Sequence, residues 1–239
     1  MEKDLKNLLI EGAKEYEVVL TELQIENFMK YKDLLKEWNE KINLTAIEDD
    51  KDVMIKHFVD SLSILPYLEN TNKKVMDVGT GAGFPGIPLK IVLSNLDITL
   101  FDSLEKRIKY LNIVIEELKL QGIRALHGRA EEYGMKQEYR EKYDIVVARA
   151  VANLPVLLEY CLPFVKTGGI FIAMKGSNIE EVDASAKALD ILGGKLDSVK
   201  ELTLPFSDMK RNIIIIKKLR QTPTKYPRKA GKPSKEPLI

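Results

Sequence analysis

Apolar residues in the first 70 positions recur in steps of three and four, which is the spacing of one helix face. Thr21 and Gln24 have the spacing of a capping box at a helix start, and the apolar stripe after them is Phe28, Tyr31, Leu35, Trp38 and Ile42. Further helices are predicted at Asp50–His57 and Ser61–Leu68, and Asn70-Thr-Asn72 ends the pattern. Residues 1–70 are therefore predicted to form a helical region.

After residue 70 the pattern changes to short apolar runs that alternate with amphipathic segments. The runs predict strands at Val75–Gly79, Ile98–Asp102, Ile123–His127, Ile145–Ala148 and Ile170–Met174. The amphipathic segments predict helices at Gly86–Ser94, Glu105–Leu120, Leu154–Leu162 and Ile179–Leu192. Such alternation implies a parallel sheet with helices on both faces.

The alternation breaks near the end of the chain. Lys195–Leu204 and Asn212–Lys218 are both strand-like, and no helix separates them. Two adjacent strands without a crossover helix must pair or insert antiparallel. Residues 71–220 are therefore predicted to form an α/β domain with a Rossmann-like class I methyltransferase sheet of seven strands, in which the last hairpin is antiparallel.

Residues 221–239 form a tail with four prolines, which exclude a regular helix or an internal strand. The tail is either disordered or held to the body by Tyr226 and Leu238. From Lys217 onward there are eight Lys or Arg residues and one acid, a net charge of +7, while the rest of the chain carries −6. A basic tail on an acidic body suggests a polyanionic partner, although a tail that only aids solubility is the alternative.

Composition narrows the class of protein. The 239 residues are 45% hydrophobic and 31% charged, which is typical of a soluble globular chain, and no apolar run is long enough to span a bilayer. The only cysteine, Cys161, lies in an apolar helical stretch, so we expect its side chain to be buried. A single cysteine cannot form a disulfide within the chain, which fits a reducing cytoplasm. His57 and His127 make no metal-ligand pattern, and no metal is expected.

A glycine-rich segment follows the first predicted strand and reads Val75-Met-Asp-Val-Gly-Thr-Gly-Ala-Gly-Phe-Pro-Gly86. Glycine allows the backbone to approach a ligand closely. Gly81-x-Gly83-x-x-Gly86 is a dinucleotide motif, with Asp102 where a ribose-binding acid would lie. Asp77, however, precedes the glycines, and a carboxylate suits the ammonium and sulfonium of S-adenosylmethionine better than a pyrophosphate. Asp77 and the closing hairpin therefore favour S-adenosylmethionine.

Asp102 ends the second predicted strand. With either cofactor we expect its carboxylate to accept hydrogen bonds from ribose hydroxyls. Its alternative role is to cap the helix that begins near Leu104.

Several motifs extend the pattern well beyond the glycine loop. They are Trp38-Asn-Glu-Lys-Ile-Asn-Leu-Thr45, His57-Phe-Val-Asp-Ser-Leu62, Asp77 to Pro88, Asp102-Ser-Leu-Glu-Lys-Arg107, Gly128-Arg-Ala-Glu131, Ala148-Arg-Ala-Val-Ala152, Lys175-Gly176 and Tyr226-Pro-Arg-Lys-Ala-Gly-Lys-Pro233. Through them nearly the whole chain resembles the bacterial 16S ribosomal RNA (guanine-N7) methyltransferase G family, also called glucose-inhibited division protein B.

The resemblance implies S-adenosylmethionine as cofactor and 16S ribosomal RNA, or the small ribosomal subunit, as substrate. It also implies that the cofactor is contacted by Gly79, Phe84, Ala130, Glu131 and Arg149, to which the loop residues Asp77, Gly81 and Gly83 and the strand-end acid Asp102 are added from their positions. Two alternatives stay open: Glu131 as a first-turn helix acid, and Arg149 as the partner of a nearby acid.

Guanine N7 suits this chain because that atom has a free lone pair and no proton, so no general base is needed. The chain also lacks the Asn/Asp-Pro-Pro-aromatic run of enzymes that methylate exocyclic amines. We expect Arg149 and Lys175 to face the target nucleotide or the cofactor. We expect Asn43 and His57 to line the opening of the same site or, alternatively, to serve in helix capping and helix packing. The residues expected to hold RNA phosphates are Arg107, Arg211, Arg228 and Lys229.

Other functions remain possible at this level. They are a methyltransferase for another RNA or a small molecule, a nucleotide-binding oxidoreductase, and a non-catalytic RNA-binding assembly factor. A monomer without membrane attachment is expected.

Overall fold

The computed structural model describes residues 2–68, 72–149, 151–177 and 179–239. The predicted break at Asn70 and Thr71 therefore lies outside the described residues. Seven strands form one sheet: β1 Lys74–Val78, β2 Asp97–Asp102, β3 Ile123–His127, β4 Tyr143–Arg149, β5 Val165–Lys175, β6 Gly194–Thr203 and β7 Lys210–Lys218.

The strand order is β3-β2-β1-β4-β5-β7-β6. Strands β1 to β5 are parallel, and β7 inserts antiparallel between β5 and β6. The prediction of five parallel strands and an antiparallel closing hairpin is confirmed. β7 is the central strand of that end of the sheet because Ile213 to Ile216 are buried and bond to both neighbours.

The helices are α1 Glu2–Lys14, α2 Glu22–Ile42, α3 Asp50–Val53, α4 Asp60–Leu62, α5 Gly86–Val92, α6 Glu105–Glu117, α7 Ala130–Tyr133, α8 Leu154–Cys161, α9 Glu180–Asp183, α10 Ala186–Leu192 and α11 Lys232–Lys235. A π-helical segment, Met54–Val59, joins α3 to α4, and Leu65–Tyr67 is a 3₁₀ turn. The predicted capping box of α2 is present, with Thr21 and Gln24 bonded in both directions.

Three helix predictions were wrong in detail. The helices predicted at Asp50–His57 and Ser61–Leu68 are one continuous helical segment that ends at Leu62. The Ser61 hydroxyl donates to the His57 carbonyl within that segment. The single helix predicted at Ile179–Leu192 is divided into α9 and α10, where the Ser185 hydroxyl bonds the Glu181 carbonyl and competes with the helix ladder. The tail contains the one-turn helix α11, which accepts Pro233 in its first turn.

The two faces of the sheet carry separate apolar cores. On one face the N-terminal helices pack with α5 and α6, and Phe28, Tyr31 and Phe58 are fully buried there. On the other face α8 and α10 pack together with Tyr226 and Leu238 of the tail. The interpretation that these two residues hold the tail to the body is confirmed.

The helices in the described part of the chain include none that is long and apolar enough to cross a membrane.

Candidate active site

A cavity of about 340 Å³ opens where β1, β2 and β3 end at their carboxyl edge. Open α/β sheets bind ligands at this edge, beside the point where the strand order reverses, here between β1 and β4. Four residues predicted to bind the cofactor line the cavity: Gly79, Asp102, Ala130 and Glu131. Residues that lie far apart in the sequence therefore meet at this edge of the sheet.

The glycine loop is shaped by positions that a larger residue would disrupt. Gly79 has φ of +71° and Gly83 has φ of +102°, which are left-handed conformations. A Cβ added to Gly83 would lie 2.5 Å from Ile87 Cδ1 and 2.6 Å from the Tyr31 hydroxyl oxygen. That hydroxyl donates to the Ala82 carbonyl, so α2 directly supports the loop.

Asp77 is completely buried beneath this loop. Its Oδ2 accepts hydrogen bonds from Thr80 Oγ1 at 2.7 Å and from the Gly86 amide at 2.8 Å. Its Oδ1 has no partner among the described residues. Burial raises the pKa of Asp77 to about 6, although the bonds from Thr80 and Gly86 oppose the shift. In this structure Asp77 therefore organises the loop from below.

Asp102 uses both of its oxygens within the protein. Its Oδ2 accepts from the Gly81 amide at 2.9 Å, and its Oδ1 accepts from the Leu104 amide at 2.9 Å. Arg107 Nη1 lies 3.1 Å from Oδ2. The alternative that Asp102 caps α6 is wrong, because Leu104 precedes the helix without a side-chain cap and Asp102 bonds only the amide of Leu104 itself. Arg107, which was predicted to hold phosphate, is instead paired with Asp102 and lines the cofactor cavity.

Arg149 ends β4 and is fixed on several sides. Its Nη1 lies 3.2 Å from Asp60 Oδ2 and donates to the Lys56 carbonyl at 3.1 Å, and its Nη2 lies 3.0 Å from His57 Nδ1. The guanidinium lies over the Phe84 ring, 4.9 Å from its centroid. The ion-pair alternative for Arg149 is therefore present, and the same pair holds the side chain next to the glycine loop.

His57 is locked between Arg149 and Thr45. Its ring stacks on Phe84, with centroids 4.5 Å apart, and its Nε2 lies 2.8 Å from Thr45 Oγ1. Burial and the neighbouring charge of Arg149 lower the pKa of His57 to about 3, so the ring is neutral at physiological pH. His57 therefore packs the N-terminal helices against the glycine loop and also contacts Arg149.

Asp60 is the main residue that the sequence interpretation missed. It is buried, and its Oδ1 accepts from Arg211 Nε at 3.1 Å while Oδ2 faces Arg149. Arg211 was predicted to hold phosphate but is used here to neutralise Asp60. The available signal was the spacing of His57 and Asp60, which places both on one helix face.

Lys175 ends β5 and holds the segment that follows β4. Its Nζ donates to the Ala152 carbonyl at 2.6 Å and lies 3.0 Å from Glu181 Oε1. Its ammonium group therefore bonds to other groups of the protein. It lies at the carboxyl edge of the sheet.

Asn43 lies apart from the cofactor cavity. It ends α2 in a left-handed conformation, with φ of +49°, so its capping role is confirmed. It also lines a second cleft, of about 620 Å³, between the end of α2 and residues 44–48.

The tail reaches the cofactor cavity and is anchored beside it. The Gly231 amide donates to Glu131 Oε1 at 3.1 Å. Arg228 Nη2 lies 2.7 Å from Glu159 Oε2, a carboxylate that is almost fully buried. Arg228 therefore fastens the tail and is not free to hold phosphate, whereas Lys229 is exposed.

Within the described ranges, no group of three His, Cys, Asp or Glu side chains could hold a metal ion. Cys161 is buried, as predicted, and burial raises the pKa of its thiol well above the usual value.

Comparison with known proteins identifies the family. The GidB family, described as rRNA small subunit methyltransferase G, matches residues 24–214. A ribosomal RNA small subunit methyltransferase G from Acetivibrio thermocellus is 65% identical over 239 residues and covers 99% of each chain. One from Alkaliphilus oremlandii is 56% identical, over 98% of this chain and 99% of its own. This chain belongs to the GidB family. The predicted function, a methyltransferase of small-subunit ribosomal RNA, is confirmed by this membership.

Solved structures confirm the fold. The YcgJ protein from Bacillus subtilis has a TM-score of 0.54 at 13% identity and covers 69% of this chain and 100% of its own. An S-adenosylmethionine-dependent methyltransferase from Aquifex aeolicus has a TM-score of 0.53 at 17% identity, and the match covers 73% of this chain and 96% of its own. The class I methyltransferase fold is therefore established. Together with the methyltransferase family, it supports the prediction of S-adenosylmethionine as cofactor.

Proposed function

We propose that this protein transfers a methyl group from S-adenosylmethionine to N7 of a guanine in 16S ribosomal RNA. The observation that carries the choice of atom is the state of the side chains around Arg149. His57 Nδ1 accepts from Arg149, and Asp60 is held by two arginines. Among the described residues at this edge, none of these groups is free to act as a general base. An acceptor atom without a proton is therefore favoured over an amine or a hydroxyl.

The residues around the cavity fit S-adenosylmethionine. Asp102 and Glu131 place carboxylates at the cavity, and the unpartnered Oδ1 of Asp77 adds a third acidic group beneath the loop. Such a set suits a cofactor with cationic groups and no phosphate. We assign Asp102 to the ribose hydroxyls and Ala130 with Glu131 to the adenine edge. When bound, S-adenosylmethionine supplies an electrophilic methyl group.

Arg149 is the residue to which we assign alignment of the reacting groups. Its position is fixed by Asp60 below and by the Phe84 ring. Alignment alone can account for roughly 7–11 kcal/mol of a transfer barrier, so an immobile cation beside the acceptor base is a sufficient catalytic device. We further propose that the protein acts as a monomer in the cytoplasm and that the exposed lysines of its tail contact the RNA backbone.

The direct test is transfer of a labelled methyl group to 16S ribosomal RNA, both free and in small subunits from cells that lack this protein. We expect one guanine to be labelled at N7, and mapping of the modified nucleotide identifies it. Transfer to a small molecule in place of RNA, or cofactor binding without any transfer, would overturn the proposal in favour of the other functions named above.

Replacement of Arg149 by alanine tests the assigned role. We expect Arg149→Ala to lower the rate of methyl transfer by about 100-fold or more, since a small misplacement of the reacting groups reduces a rate by that factor. The fold should persist because Asp60 keeps its pair with Arg211. Arg220→Ala is the matched control, since Arg220 pairs with Asp190 at the surface. Full activity in Arg149→Ala would remove Arg149 from the mechanism.

A further inference from the structure

The end of the cofactor cavity beside β4 is formed by an apolar side chain to which no role has been assigned above. Val151 lines this cavity and is 38% exposed, although it is a large hydrophobic residue. Apolar surface that is exposed inside a binding cavity is available for contact with a ligand. The place of Val151 relative to the strands indicates which part of the ligand it meets.

The residues that line the cavity follow the order of the strands that carry them. Neighbouring strands in the order β3-β2-β1-β4 present, at or just after their carboxyl ends, Glu131, Asp102, Gly79 and Val151 in turn. Because neighbouring strands lie about 4.8 Å apart, this row of residues spans roughly 14 Å of the sheet edge. A ligand that fills the cavity therefore lies across the strands, with one end at β3 and the other at β4.

This order gives the direction in which the methyl donor lies. The inference rests on the proposed function, in which Glu131 is assigned to the adenine edge and Asp102 to the ribose. The sulfonium of S-adenosylmethionine is bonded to the carbon that leaves the ribose ring, so it comes next along the row, at Gly79 and Val151. Arg149, to which alignment of the reacting groups is assigned, ends β4 two positions before Val151.

Val151 packs closely against the glycine loop and is held from behind. A Cβ added to Gly79 would lie 2.6 Å from Val151 Cγ2, so the valine lies directly on the Gly79 backbone. The next residue, Ala152, is fixed by its carbonyl, which accepts from Lys175 Nζ at 2.6 Å, and Lys175 Nζ lies 3.0 Å from Glu181 Oε1. The valine is therefore a wall with little freedom to move aside.

We propose that Val151 is a specificity-determining residue that limits the transferred group to a methyl. Its side chain occupies the space that a longer alkyl group on the sulfonium requires. During transfer, the lone pair of the acceptor atom forms a bond to the carbon. The C–S bond breaks, and its electron pair stays on sulfur, which becomes a neutral thioether. A longer group must fit beside that same carbon for the displacement to occur, so a fixed wall excludes it.

The test compares S-adenosylmethionine with S-adenosylethionine, in which an ethyl group replaces the methyl. Each donor is labelled in the transferred group, and kcat/KM is measured from total label in 16S ribosomal RNA of small subunits from cells that lack this protein. In Val151→Ala the ratio of ethyl to methyl transfer should rise by about 10-fold or more over wild type, the usual discrimination for one methylene in an apolar pocket. Comparing ratios cancels the lower intrinsic reactivity of the ethyl donor.

Val19→Ala is the matched control. Val19 lies between α1 and α2 and is 85% exposed, so the control should keep the wild-type ratio. If the ratio is unchanged in Val151→Ala, or if both rates fall by the same factor, Val151 does not select the transferred group. Urea denaturation should show that both variants are folded.

Failure of the proposed function can be distinguished from failure of this inference. Total label in the RNA does not depend on which atom accepts the group, so transfer away from guanine N7 would overturn the proposed function and leave the ratio as the test of Val151. If no RNA is labelled, calorimetric binding of the two donors decides. The preference of wild type for the methyl donor should then fall by about 10-fold in Val151→Ala, and an unchanged preference would overturn the assignment.

Discussion

At the residue scale, Asp60 explains how Arg149 is held rigid next to the glycine loop. Its two oxygens accept from Arg149 and Arg211, which reach it from the end of β4 and the start of β7. The pair with Arg149 is largely desolvated, since that side chain is 13% exposed and the side chain of Asp60 is 4% exposed. Removing one partner from such a pair leaves uncompensated charge in the interior.

We expect Asp60→Asn to lower the free energy of unfolding by about 3 to 5 kcal/mol, because it leaves two partly buried guanidinium groups without a counter-charge. Urea denaturation at neutral pH measures the loss. Asp33→Asn is the control: Asp33 pairs with Lys32 but is 71% exposed, and its loss should cost less than about 1 kcal/mol. An Asp60→Asn variant as stable as this control would contradict the account.

Residues of the site were predictable where the chemistry is local. Gly79, Gly83 and Asp77 stand in one short segment, and their spacing alone indicated the loop. The partners of Arg149 and Arg228 were not predictable, because Asp60 and Glu159 lie 89 and 69 positions away in the chain. The sequence shows that a charge exists, but only the fold shows which charge neutralises it.

At the element scale, the tail is a packed part of the molecule that keeps several lysines exposed. Arg140 donates to the carbonyls of Thr222 and Tyr226, Arg228 pairs with Glu159, and Lys218 is buried against the Leu162 carbonyl. Deletion of residues 221–239 would therefore damage the fold as well as any RNA contact. The prolines correctly indicated an irregular tail, but composition does not record the pockets that receive Tyr226 and Leu238.

Substitution of tail lysines isolates RNA binding from folding. Lys225, Lys229 and Lys235 are exposed and form no ion pair with any described residue. Because each phosphate contact contributes roughly 0.7 to 0.9 to the slope of log K against log salt, the triple change to glutamine should reduce the magnitude of that slope by about 2 to 3. Filter binding of 16S ribosomal RNA at several salt concentrations gives the slope.

The matched control for this experiment uses cations that are already paired. Lys217 and Arg220 pair with Asp197 and Asp190, so changing both to glutamine should leave the slope close to wild type. An unchanged slope in the triple variant would show that the tail does not contact phosphates.

At the scale of the whole molecule, the buried acid beneath the glycine loop links stability to pH. The folded pKa of Asp77, about 6, lies above its ordinary value of 3.8, so between these values the folded state holds a proton that the unfolded state has lost. Stability from this group is complete below 3.8 and declines as pH rises through 6. At neutral pH the ionised Asp77 therefore lowers the free energy of unfolding, while its hydrogen bonds hold the cofactor loop in shape.

We expect the unfolding free energy of wild type minus that of Asp77→Asn to fall by about 2 kcal/mol between pH 3.8 and pH 6, since one pKa unit corresponds to about 1.4 kcal/mol and part of each titration lies outside this window. Taking the difference cancels the other titrating groups. Chemical denaturation across this range gives the two curves. A difference that stays constant, or rises with pH, would show that Asp77 is not held with a raised pKa.

The bond from the Gly231 amide to Glu131 gives the tail a thermodynamic role. Glu131 lines the cofactor cavity, so under the proposed assignment a methyl donor that fixes this carboxylate would also favour the packed position of the tail. Coupling of this kind is reciprocal: RNA that holds the tail in place must strengthen binding of the methyl donor by the same factor. If Glu131 binds the methyl donor and the tail binds RNA, as proposed, we expect the two substrates to bind cooperatively through this hydrogen bond.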